Sequence, residues 1–216
     1  MKKKYFVVAV AVVSLLAIGV AFWMKRPMSS ADQARLCAHA LWHGDTDLVY
    51  AYAADEDINH GLTASAFHKI WKRTIEPKTR LYRVVGDSVG AAGGRSVCYL
   101  SLERISDGTR SSNPFSFVLR LTGTGPKSNL YNLLVWAWTD EVVEANDLAM
   151  FDEALIRGAE ADLAFLKGLG VKGLTISDPQ DPGKAVFKTW DELIVRHKAH
   201  AARRRAKPVQ HDYHLR

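Results

Sequence analysis

The chain has 216 residues, enough for one domain with a sizeable core and too few for two once a membrane segment is set aside. With 48% hydrophobic and 24% charged residues it has the composition of an ordinary globular protein, which excludes a disordered chain and a multi-spanning membrane protein. Its net charge of +6 sits at the ends: residues 1–26 carry five Lys/Arg and no acid, and residues 196–216 carry seven against Asp212 alone. The body between them has 17 basic and 22 acidic side chains, a net of −5, so it has no global basic field and nucleic acid is not an expected partner.

Residues 1–4 form a short tail. Residues 5–24 are twenty consecutive uncharged residues, mostly Val, Ala, Leu, Ile and Phe. A helix of that length covers about 30 Å of hydrocarbon. Lys2, Lys3 and Lys4 precede the stretch, Lys25 and Arg26 follow it, and Tyr5 and Trp23 stand where amphipathic rings favour the headgroup level. The pattern predicts a single-pass signal-anchor helix, with membrane as a partner through residues 5–24. The basic bias places the N-terminus in the cytoplasm and the domain outside it, in the periplasm or at the cell surface. A cleavable signal peptide is the alternative, with residues 6–16 as its apolar region and Ala17-Ile18-Gly19 as the small-residue site.

Three short helices come next. Ser30 is a candidate N-cap for a helix with Ala34, Cys37 or Ala38, and Leu41 on one face, which Gly44 stops. Asp45 caps a second helix bearing Leu48, Val49, Tyr52 and Ala53, which runs to the acidic cluster Asp55-Glu56-Asp57. Thr63 caps a third with Phe67, Ile70 and Trp71, closed by Pro77. The period then switches to two. Leu81, Val84 and Val85 suggest one strand, and Cys98, Leu100 and Leu102 a second across the Gly90–Gly94 turn. Phe115, Phe117, Leu119 and Leu121 alternate with Ser116, Val118, Arg120 and Thr122 in a third, and residues 130–139, with Leu134, Trp136 and Trp138 on one face, make a fourth. The expected class is therefore α+β, with a four-stranded antiparallel meander spanning residues 30–140 together with the helices. Residues 141–200 read as a helical extension packing on it. One helix carries Leu148, Phe151, Leu155, Leu163 and Leu166, and a last one, opened by Asp181 and Pro182, carries Val186, Phe187, Trp190, Leu193 and Ile194. Residues 201–216 read as a basic tail leaving the body.

The pattern Ala40-Leu41-Trp42-His43-Gly44-Asp45 with Val49-Tyr50, then Thr63-Ala64-Ser65-Ala66-Phe67 and Ile70-Trp71, resembles the opening of small nuclear transport factor 2-like domains, whose cone-shaped α+β fold wraps a curved sheet around a helix. A short tail, one span and an outer domain of this kind also resemble the bitopic assembly factors of bacterial type IV secretion machines; a four-residue tail and a long extension after Asp140 depart from them. The broad fold hosts isomerases, dehydratases, ligand carriers and pure binding domains, so the resemblance implies a pocket but selects no activity.

Catalytic residues are not identifiable: there is no HExxH and no Cys/His pair whose local context suggests nucleophilic catalysis. Groups able to face a cone pocket are Tyr99, Glu103 and Arg120 on strands, with Tyr52 and His68 on helices. Trp136 and Trp138, with Tyr99 and Arg120, are the candidate ligand or partner surface. The basic run Arg203, Arg204, Arg205 and Lys207 is either a solvated tail or a contact for anionic lipid or an acidic partner. Cys37 and Cys98 are either a disulfide in an exported domain or two buried thiols. His39 and His43, and the Asp55–Asp57 cluster with His60, lack the spacing of zinc or calcium sites, so no metal and no cofactor are expected. The function expected is binding to a protein partner in the cell envelope, with a tethered enzyme or small-ligand carrier as the alternative.

Overall fold

The computed structural model describes residues 28–92, 94–128, 130–139, 148–177 and 185–206. The expected span at residues 5–24 and the tail at 1–4 lie outside the described residues. Among those described, no helix is long and apolar enough to cross a membrane.

Helix α1 (Ser30–Trp42) is capped one residue earlier than expected, by Ser29, whose hydroxyl accepts from the Asp32 N–H at 3.1 Å. The Ser30 hydroxyl instead meets Ser96 Oγ at 2.8 Å. Ala34, Cys37, Ala38 and Leu41 are all fully buried, the stripe that helical spacing requires. Gly44, at φ +87°, turns the chain into α2 (Thr46–Tyr50), capped by Asp45. The acidic triplet opens a separate helix, α3 (Asp55–Asn59), rather than ending the one before it. Thr63 caps α4 (Ala64–Ile70) as expected. Pro77 does not close that helix: the chain passes through a π turn (Trp71–Ile75) into α5 (Glu76–Thr79), where proline in the first turn forfeits no hydrogen bond.

Strands β1 (Tyr82–Ala92), β2 (Arg95–Arg104), β3 (Phe115–Thr122) and β4 (Gly125–Ser128) form an antiparallel sheet in that order. Cys98 faces Phe117 and Leu100 faces Phe115 across the β2–β3 pair, and these four side chains, with Leu102 and Leu119, are buried on the sheet face that α1 covers. The alternation fails at the end of β3: Arg120 is buried and Leu121 is 62% exposed.

The expected fourth strand over residues 130–139 is a helix, α6 (Tyr131–Thr139); the sheet's fourth strand is the short β4 before it. The reason is legible in burial. Tyr131, Leu133, Leu134, Trp136 and Ala137 are all buried, so the segment is apolar around most of its girth, and such a run carries no period that separates helix from strand.

Helix α7 (Leu148–Gly168) follows, as expected. The next element was not anticipated: β5 (Gly173–Ser177) and β6 (Ala185–Thr189) pair antiparallel in a second sheet, which places Val186 and Phe187 on a strand. The expected helix start at Asp181-Pro182 lies outside the described residues. Helix α8 (Trp190–Ala206) opens on a capping box, with Glu192 Oε2 accepting from Thr189 N–H at 2.8 Å and Thr189 Oγ1 accepting from Glu192 N–H at 3.3 Å. The helix continues past the expected boundary at residue 201, with Ala201 buried. Leu166, Val171, Leu174, Trp190 and Leu193 join Leu100, Phe115 and Trp136 in one continuous core, so the extension completes the domain.

Candidate functional site

The four residues expected to form one surface occupy four places. Trp136 is core: its ring meets Phe115 edge-on at 5.0 Å and Trp42 at 6.1 Å, and it is 4% exposed. Trp138 lies between α6 and α7, where its Nε1–H donates to Asp162 Oδ2 at 3.0 Å; the same carboxylate accepts from Arg73 and Thr74. Tyr99 stands on the outer face of β2, 40% exposed, in an open hollow of about 520 Å³ floored by Val97, Val118 and Ser116 and edged by Arg95. Arg120 lines a different cleft of about 490 Å³ with Asp55, Glu56, Lys127, Ser128 and Thr175.

A void between sheet and helices, lined by Leu62, Phe67, Ile70, Ile75, Leu130 and Leu134, measures about 10 Å³, too small and too apolar to hold more than a water molecule. The groups able to face a cone pocket are engaged separately: Glu103 pairs with Arg83, and His68 Nδ1 shares a hydrogen bond with Thr46 Oγ1 at 3.0 Å. Burial raises the Tyr52 phenol above its usual range.

Cys37 and Cys98 are buried free thiols, with no disulfide between them. Burial pushes Cys37 up to about 12 and Cys98 up to about 11, so neither is a nucleophile near neutrality. His39 hydrogen-bonds Asp87 Oδ2 at 3.0 Å beside Arg35, and these bonds hold the Asp87 carboxyl below its usual range. The acidic cluster disperses: Asp55 pairs with Lys127 at 2.6 Å, Asp57 turns inward to Thr175, and His60 stacks on Phe187 at 3.8 Å.

Two arginines of the basic run are paired. Arg204 Nη1 lies 2.8 Å from Asp152 Oδ2 and Arg205 pairs with Glu153, while Arg203 is exposed; Lys207 lies outside the described residues. The end of α8 is thus paired to α7 by two residues of the run read as leaving the body.

The same place holds a cluster that the sequence reading missed. Asp152 on α7, 2% exposed, faces His197 and His200 on α8, and Tyr131 Oη lies 2.7 Å from His197 Nε2. His197 and His200 are three apart on one helix face, a signal present in the sequence. It was passed over because the helix was expected to fray after His197 and because the acid comes from another element. Burial, more than any charge nearby, lowers the affinity of His197 for a proton, although Asp152 opposes this.

Among the described residues, these features define an α+β domain with a helix-covered sheet face, an open opposite face, a polar cleft and an inter-helix polar cluster. Compared with known proteins, the chain matches no protein-family model, no curated protein and no solved structure.

Proposed function

We propose that the chain is a membrane-tethered binding domain outside the cytoplasm, which uses the open face of its four-stranded sheet to contact a protein partner in the cell envelope. The observation that carries this reading is the asymmetry of the sheet. One face is sealed by α1, and the other presents Tyr99, Val97 and Val118 in a hollow of about 520 Å³. An aromatic ring with a polar tip over an apolar floor, edged by an arginine, has the composition found at the centres of protein interfaces. Helices first and an antiparallel sheet after them support a nuclear transport factor 2-like reading of residues 30–140. The apolar stretch at residues 5–24 supports the tether, which raises local concentration enough for a modest contact to suffice. No cofactor is invoked.

A photo-crosslinking residue at position 99 of the full chain in its native cells tests the proposal. Crosslinks to a discrete protein from position 99, absent from position 195 on the exposed side of α8, are expected. Equal labelling from both positions contradicts it.

One observation favours a small-ligand carrier as the second reading. Ser128 lines the polar cleft, is 3% exposed, and its hydroxyl has no hydrogen-bond partner, a buried donor that a polar ligand would satisfy. Photolabelling at position 124, on the cleft rim, separates the two readings by the size of the captured molecule.

A further inference from the structure

We propose that Asp152, His197 and His200 bind one divalent transition-metal cation, with Zn²⁺ the first candidate, between α7 and α8. One ligand atom from each residue lies within 4.8 Å of the other two. His197 Nδ1 stands 3.5 Å from Asp152 Oδ1. That distance is long for a hydrogen bond but close to the edge, about 3.4 Å, of a tetrahedron whose corners stand about 2.1 Å from a central zinc. His197 Nδ1 is buried and has no hydrogen-bond partner. Buried polar atoms ordinarily find one, and a cation shared with Asp152 supplies it.

The surroundings orient the ligands. With Nδ1 on the metal, the Nε2–H of His197 donates to Tyr131 Oη at 2.7 Å, the kind of outer partner that fixes the tautomer and tilt of metal-binding imidazoles. Arg204 Nη1 forms an ion pair with Asp152 Oδ2 at 2.8 Å, and that oxygen, like His197 Nδ1, is buried without a hydrogen-bond partner, so the carboxylate has a donor to give a cation. Two imidazoles and one carboxylate suit Zn²⁺, Co²⁺ or Ni²⁺ better than Ca²⁺ or Mg²⁺, which take oxygen shells. Three protein ligands leave a fourth tetrahedral position for water or for a donor group from outside the chain. Arg204 and the nearby Arg196 oppose a second positive charge, which sets the expected affinity on the order of micromolar rather than that of a closed structural site.

The test uses the full chain without a histidine tag, solubilised in detergent, freed of metal with a chelator and titrated with Zn²⁺ by calorimetry and Co²⁺ by absorption. One Zn²⁺ per chain is expected, with tetrahedral ligand-field bands for Co²⁺. His200→Ala, at a half-buried position that the fold tolerates, should weaken binding at least about ten-fold, and Tyr131→Phe about ten-fold through the lost outer partner. His39→Ala should leave binding unchanged. Circular dichroism confirms that each variant is folded. No saturable binding by the folded native chain overturns the proposal, as does a His200→Ala variant that binds as tightly as the native one.

Discussion

Asp57 is fully buried, accepts hydrogen bonds at 2.6 Å from both the Thr175 N–H and its hydroxyl, and leaves its second carboxylate oxygen without a partner. Desolvation outweighs the two bonds and pushes its carboxyl up to about 6, from 3.8. A carboxyl raised by folding is protonated more readily in the native state than in the unfolded one. Its stabilising contribution is therefore complete below pH 3.8 and is lost as the pH rises through about 6. The shift corresponds to about 3 kcal/mol at most. Urea midpoints compared between the native chain and Asp57→Asn are expected to diverge from pH 7 to pH 4, with the native chain gaining relative stability toward acid; parallel profiles contradict the account. The two thiols give a second prediction at this scale. Cys37 and Cys98 should ignore a thiol reagent in the folded chain, yet both should titrate after unfolding without reductant, whereas no titratable thiol would show a bridge. Sequence could offer both fates for the pair but not choose, because the choice depends on burial. The inward turn of Asp57 was equally hidden, since Thr175 lies 118 residues away.

At the scale of elements, period-two and period-3.6 patterns carried as far as one face of each element was exposed. Strands β2 and β3 and helices α1, α4 and α7 were legible for that reason. The segment over residues 130–139 was not, because its apolar residues are buried on nearly every side. The β5–β6 hairpin was missed too: its strands are five residues each, and Val186 and Phe187 fall at a spacing that extends the apolar stripe of α8 backward. The Thr189–Glu192 capping box marks the true start of that helix. Thr189→Ala should cost about 1 kcal/mol in thermal or urea unfolding. Packing between α6 and α7 makes a sharper test. A Cβ on Gly158 would stand 2.4 Å from Trp138 Cγ, whereas one on Gly168 meets nothing within 4 Å. Gly158→Ala should destabilise by about 1–3 kcal/mol and Gly168→Ala by less than about 0.5 kcal/mol. Equal effects from the two would show that Trp138 is not held against Gly158.

For the whole molecule, charge and hydropathy divide the chain into a basic, apolar N-terminal segment, an acidic body and a basic C-terminal helix end, part of which is neutralised by Asp152 and Glu153. The candidate site was only partly legible at this scale. Tyr99 was named among groups able to face a pocket between sheet and helices but stands on the opposite, outer face of β2, and Trp136 and Trp138 followed from a strand that is a helix. Val97 and Val118 became partners of Tyr99 only through the register of β2 and β3. The binding proposal requires that open face to lie where envelope proteins can reach it. A reporter active only outside the cytoplasm and one active only within it, each fused after Arg216 of the full chain, test this directly. The account predicts activity from the outside reporter and silence from the inside one; the reverse pattern would place the sheet face in the cytoplasm and contradict the proposal of an envelope partner.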